Sequence, residues 1–258
     1  MNKYDVIIIG AGPSGIFCAY ELMGQKPDMK VLMIEKGRSI EKRQCPKRTT
    51  KVCVGCKPCS ITTGFAGAGA FSDGKLSLSP DVGGTLPEIL GYEKAEELIK
   101  EADNIYLKFG ADEKVYGIDD YEAIERIRAK AIRANLKLIE CPIRHLGTEE
   151  GYKIYTRLQE HLLASGVEIK FMTMVQDIII EDGVAKGVVT DKEETYYADE
   201  IVSGIGREGS SWFEGICKNH GIKTQNGTVD VGVRVEVRDE IMKELNEKLY
   251  EAKLVYYT

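Results

Sequence analysis

The stretch KYDVIIIGAGPSGIFCAYELMGQKPDMKVLMIE, residues 3–35, decides how the rest of the chain is read. Lys3 to Ile9 is a short, almost unbroken apolar run, the pattern of a strand buried on both faces of a parallel sheet. Gly10 to Gly15 is a turn, and Ile16 to Met23 carries apolar residues at helical spacing. Lys30 to Glu35 is a second buried strand. Strand, glycine turn, helix and strand within about 33 residues make one βαβ unit.

The turn reads as a dinucleotide-binding signature because each residue has a task. Gly10 permits the tight turn, Gly12 lets the backbone approach a pyrophosphate, and Gly15 allows the helix to pack closely on the strand. The helix opens at Pro13 and Ser14, where unpaired N–H groups and about half a positive charge await the phosphates. Glu35 closes the second strand 20 residues after Gly15, with Lys36 beside it, placed to accept hydrogen bonds from ribose hydroxyls.

Around this unit the composition is that of a globular protein. The 258 residues, 43% hydrophobic and 29% charged, suffice for one large domain or two small ones. A net charge of −6 argues against a nucleic-acid partner, whose footprint would be basic. No run approaches the ~18–20 uninterrupted apolar residues of a membrane helix. Val6–Ile9 passes straight into glycines without the cleavage pattern of a leader, so a cytoplasmic location is expected. No G-x-S-x-G or H-E-x-x-H pattern supports a hydrolase.

Further along, a Cys- and Gly-rich loop spans 44–80, longer than an idle connector. Helical patterns at Pro87–Phe109 and Asp119–Asn135 form a helical insertion over 87–135, and Lys137–Cys141 reads as a strand. An amphipathic helix covers Thr148–Ser165, and Val167–Phe171 is a strand. Val175–Ile180 and Val184–Thr190 flank Asp182-Gly183, a hairpin signature. Short strands at Thr195–Tyr197 and Glu200–Val202 lead to Gly204-Ile205-Gly206, and a helix covers Gly209–His220. Thr228–Val237 alternates like a strand of a different sheet, followed by a charged helix over Glu240–Tyr250. The expected fold is α/β: a Rossmann-like FAD/NAD(P)-binding parallel sheet over 1–224, with a helical insertion and a β-meander. Residues 225–258 are expected to begin a substrate or cap domain.

The loop holds the chemistry that the turn does not explain. Cys53-x2-Cys56-x2-Cys59 has the spacing of the first three ligands of a bacterial iron–sulfur run, and Cys45 could complete the set. Zinc would accept the same four thiolates, and without metal they read as redox thiols or inert ones. Cys18, Cys141 and Cys217 lie in apolar patterns and are expected to pack. Downstream, Gly67 and Gly69 give a backbone able to lie against a flat ring, with Ser72, Asp73 and Lys75 as polar groups. Of three histidines, His161 and His220 are expected to be structural; His145, beside Arg144, is the acid–base candidate.

The segment GFAGAGAFSDGKL at 64–76, with the cysteines before it, resembles the uncharacterised FAD-dependent dehydrogenases. IRHLGT at 143–148 and VDVGVR at 229–234 resemble that family too. The order of loop and late meander is similar to the flavoproteins of the glutathione-reductase type. These resemblances imply an FAD-dependent oxidoreductase whose isoalloxazine is lined by Gly67, Ala68, Phe71, Ser72, Asp73 and Gly74. Lys75 would then sit near the flavin N1/C2 region, Val175 would touch the adenine, and Gly204 and Gly206 would stand in the place of an Ala-Thr-Gly signature. A donor such as NAD(P)H and a small-molecule substrate or electron acceptor are implied. The late Gly-Asp segment of such proteins has no counterpart after Gly209, so the chain is expected to be an N-terminal portion. The alternatives are a small thiazole-synthase-like enzyme and a non-catalytic dinucleotide-binding or electron-carrier module.

Overall fold

The computed structural model describes residues 3–227 and 229–256. In chain order the elements are β1 (Lys3–Ile9), α1 (Pro13–Gln25), β2 (Val31–Glu35), α2 (Lys47–Thr50), β3 (Lys75–Ser77), α3 (Leu86–Leu90), α4 (Tyr92–Lys108) and β4 (Val115–Tyr116). They continue as α5 (Tyr121–Arg133), β5 (Leu136–Ile139), β6 (Ile143–His145), α6 (Thr148–Ala164), β7 (Glu168–Phe171), β8 (Val175–Glu181), β9 (Val184–Thr190), β10 (Thr195–Ser203), α7 (Ser210–Asn219), α8 (Asp239–Leu249) and β11 (Lys253–Tyr256). Two compact units result, Met1–Ser72 with Gly151–Gly227, and Asp73–Glu150 with Thr228–Thr258.

The first unit is built on a six-stranded sheet of order β7-β2-β1-β10-β9-β8. Its first four strands run parallel, and β9 and β8 continue it antiparallel. The unbroken apolar runs of β1 and β2 are what such a position demands: Ile7, Ile8, Leu32 and Met33 are wholly buried. Each such side chain contributes about 1.5–3 kcal/mol by leaving water. α1 buries Gly15, Ile16, Ala19 and Met23, one face at three- and four-residue spacing. Asp182 and Gly183 both take positive φ, 51° and 77°, and close the β8–β9 hairpin as the sequence predicts.

β10 is one nine-residue strand, not the two short ones expected. Thr195–Tyr197 pairs with β9, and Tyr197–Ser203 pairs with β1. The polar residues that interrupt its pattern stay on the wet side, where Asp199 meets Lys3 at 2.6 Å, while Ala198 faces the core.

The second unit differs from the boundary expected at 224/225. β11 pairs antiparallel with β5, and α8 packs on α5 around Ile124, Ile127, Leu138 and Leu249. The tail therefore completes the fold of residues 73–150. A small sheet, β3-β6-β4, lies in the same unit. There Arg144 is buried and grips Asp103 through two bonds of 2.5 and 2.8 Å. The helix expected over Pro87–Phe109 is two helices, interrupted at Gly91. Val229–Val237 forms no ladder; Thr228, where that strand was expected to start, lies outside the described residues. Val229, Val231 and Val233 are 82–93% exposed. Among the described residues no helix is long and apolar enough to cross a membrane.

Candidate functional site

The glycine turn sits where β1 ends, and two of its glycines are compelled by contact. A Cβ on Gly15 would fall 2.1 Å from the Gly10 carbonyl oxygen. Gly10 has φ +96°, and a Cβ there would meet the Gly204 carbonyl at 3.0 Å. Gly12 is different: the only atom near its imagined Cβ is Gly204 O, 4.0 Å away. Packing does not require that glycine, which leaves open space above the backbone.

Beyond Gly12 the start of α1 is bare. Pro13 occupies the first turn, no side chain caps it, and no acid lies in that turn. α5 shows the usual alternative, with the Asp120 carboxylate accepting from the Ala123 N–H at 3.0 Å. An uncapped helix start beside a glycine cradle is an anion site.

A cavity of about 500 Å³ opens there, within the size range of small-molecule sites. It brings together Gly10, Gly12, Pro13, Ser14, Glu35, Lys36, Gly67, Ala68, Val175, Gly204 and Gly206. Gly15 supports this wall from behind. Glu35 is buried, and its two oxygens accept from the Ala11 N–H at 2.8 Å and the Gly37 N–H at 2.7 Å. The carboxylate thus ties the turn to the end of β2, and its remaining lone pairs are available to hydroxyls. Lys36 forms an ion pair with Glu208, also in the wall, and burial lowers its pKa. These residues fit an adenine dinucleotide: a cradle with no Cβ, a helix start for phosphate, and a carboxylate at ribose distance in the sequence pattern.

The glycine loop is held by a residue that no motif identifies. Arg43 is buried and donates to the carbonyls of Ser60 (3.0 Å), Ile61 (2.7 Å), Phe65 (2.5 Å) and Gly67 (2.7 Å). Burial pushes its pKa down to about 10. Its guanidinium also lies over Phe71, 4.8 Å from the ring centre. The loop backbone reaches the phosphate turn through the Ala66 N–H, which donates to Ala11 O at 2.7 Å.

Phe71 and Ser72 are not among the cavity-lining residues; the Ser72 hydroxyl donates to Gly69 O. Asp73, Gly74, Lys75 and His145 belong to the second unit. There Lys75 and His145 are register partners across β3 and β6. The Lys75 ammonium bonds Glu251 at 2.8 Å and lies 3.5 Å from Asp73; the Glu251 bond raises its pKa. His145 stands against Tyr250, ring centres 5.3 Å apart.

All seven cysteines are free thiols. Cys53 and Cys59 are exposed, Cys45 and Cys56 half-buried. Among the described residues no group of three or more His, Cys, Asp or Glu is gathered as a metal site, so the four thiols are not brought together. Hydrogen bonding from the Thr62 and Ile61 N–H groups lowers the Cys59 pKa.

The sequence reading missed Thr62, Thr63, Thr173, Met174 and Trp212, which also line the cavity. Thr173 and Met174 sit just before Val175, so the adenine position alone would have pointed to them. Trp212 had no signal beyond its place after the Gly204 segment.

Comparison with known proteins follows this geometry. The pyridine nucleotide-disulphide oxidoreductase family matches residues 121–242, and the Thi4 family matches residues 1–41. An uncharacterized protein of Clostridium beijerinckii is 23% identical over 93% of this chain, which spans 38% of that protein. Thiamine thiazole synthase of Coprinopsis cinerea is 52% identical over 33 residues, 13% of this chain and 10% of that one. Among solved structures, L-amino acid deaminase from Proteus vulgaris has a TM-score of 0.49 and 14% identity, covering 86% of this chain and 50% of that chain. Sheet order, glycine turn and cavity together make the architecture an α/β, Rossmann-like fold of the dinucleotide-binding type with a mixed sheet.

Proposed function

We propose that the chain is the FAD-binding part of an FAD-dependent oxidoreductase, a dehydrogenase passing electrons between a donor such as NAD(P)H and a small-molecule substrate or acceptor. The observation that carries this reading is the cavity in which Gly12, the bare start of α1, Glu35 and Val175 converge. FAD, when bound, supplies reversible two-electron chemistry. The chain's part is to bind and orient it. The α1 N-terminus takes the phosphates, Glu35 the ribose hydroxyls, and the Arg43-held loop at Thr62–Ala68 covers the remaining wall and excludes water.

As catalytic residues we keep Lys75 and His145, both in the second unit. Lys75 is kept protonated by Glu251, so it serves as a hydrogen-bond donor and not as a base. His145 is the acid–base candidate, its ring against Tyr250. Asp73, Gly74, Phe71 and Ser72 remain assigned to the loop that faces the flavin. For Cys45, Cys53, Cys56 and Cys59 metal binding, redox thiols and inert thiols remain the three readings; metal analysis and an ultraviolet–visible spectrum of anaerobically purified protein separate them. The thiazole-synthase-like alternative rests on residues 1–41, which are the βαβ unit with its turn, and so it supports the same dinucleotide site.

Reconstitution tests the reading directly. Protein mixed with FAD and desalted should stay yellow, and NAD(P)H should bleach it. A protein that comes off the column colourless overturns the proposal.

A further inference from the structure

The cavity has one aromatic wall, and it is the chain's only tryptophan. Trp212 projects from α7, and its indole N–H donates to the Gln176 carbonyl at 2.8 Å. That bond satisfies the one polar atom of the ring and fixes its orientation. The ring also packs against the core cluster that contains Val175 and Val188. What remains is a rigid flat surface beside Val175 and Met174, both in the same wall.

Its position relative to Glu35 follows from short backbone steps. The Thr173 N–H donates to the Glu35 carbonyl at 3.1 Å, joining the end of β2 to the residues that lead into β8. Val175 and Gln176 come next in the chain, and Gln176 holds the indole. The aromatic wall therefore stands on the side of the cavity where β8 begins, next to the end of β2. A base attached to a ribose held by Glu35 comes up against this surface.

We propose that Trp212 stacks on the adenine and makes the site select adenine nucleotides by their base, beyond what the phosphate turn provides. This rests on the dinucleotide reading above and adds the residue that recognises one end of it. Base–aromatic stacking contributes about 1–3 kcal/mol per base, so the wall is worth roughly tenfold or more in affinity.

The single tryptophan makes the test clean. ADP does not absorb where indole emits, so a change in emission on titration is not energy transfer. ADP should change Trp212 emission saturably, whereas pyrophosphate, which offers phosphates without a base, should not. By calorimetry W212A should weaken ADP and FAD by the same factor, roughly tenfold, and W212F should restore most of the loss; circular dichroism checks that each variant is folded. The wild-type titration stands even if W212A does not fold. Wild-type protein that binds FAD while ADP leaves the emission unchanged overturns the adenine wall and leaves the flavin reading intact. Protein that answers to ADP but stays colourless with FAD overturns the flavin reading and keeps the wall.

Discussion

The phosphate turn at residues 10–15 and the glycine loop at 64–71 both bring bare backbone to one cavity, yet they are held in different ways. The turn has no room beside its main chain, with Gly15 against the Gly10 carbonyl and Gly10 against Gly204, and the Glu35 carboxylate ties it to β2. The loop adds a side-chain clamp to its backbone bonds: the Arg43 guanidinium gathers four carbonyls from Ser60 to Gly67. Main-chain locking leaves its mark in the sequence, because only glycine fits and the spacing is fixed. Side-chain clamping leaves none, because an arginine 17 to 24 residues away from its partners looks like any surface arginine.

The strongest way to break the first device is G15A, which puts a methyl into the Gly10 carbonyl. Overpacking at that distance should cost about 3 kcal/mol or more, read as a lower urea midpoint, together with loss of ADP binding. R43M attacks the second device by leaving buried carbonyls without donors, a cost of about 2–3 kcal/mol. ADP affinity should fall far less than in G15A. Equal loss in both variants would show that the Ala66–Ala11 bond makes turn and loop one device.

G12A separates packing from binding within the turn itself. Space exists for the methyl, so stability should stay within about 0.5 kcal/mol of wild type. Phosphate approach should suffer, and ADP affinity should drop about tenfold. A G12A protein that unfolds would erase the distinction drawn between Gly12 and Gly15.

The smallest effect lies in the second unit, in the ion pairs around Glu251. Lys253 first, then Lys75, draw the Glu251 pKa down from 4.5 to about 2. A depressed acid contributes stability above its unfolded pKa and loses it as pH falls through the folded value. Acid unfolding between pH 4.5 and 2 should therefore weaken in E251Q, by under about 1 kcal/mol because the side chain is 39% exposed and screened. Melting temperature against pH is the measurement.

The same contrast explains what the sequence disclosed. The βαβ unit, the hairpin at Asp182-Gly183 and the part of the cavity wall at Gly10, Gly12, Pro13, Ser14 and Glu35 followed from periodicity and glycine spacing, which are local; Gly67, Ala68, Val175, Gly204 and Gly206 followed from the resemblance. The pairing of β11 with β5 was out of reach, because Lys253–Tyr256 finds its partner more than a hundred residues earlier. β10 was split in two because Asp199 and Glu200 interrupt its apolar pattern, and only the neighbouring β1 shows that they point to water. Of the loop residues read as lining the flavin, Gly67 and Ala68 line the cavity, whereas Phe71, Ser72, Asp73 and Gly74 do not.

The contact between Gly10 and Gly204 also sets an order of events during synthesis. Gly10 is made 194 residues before Gly204, the turn's rear wall. β1 has no partner on that side until β10 leaves the ribosome. Pairings so distant in sequence make folding slow. The phosphate site is therefore a late product of translation, and a nascent chain stalled before Ser203 carries the signature of a dinucleotide protein without its binding site.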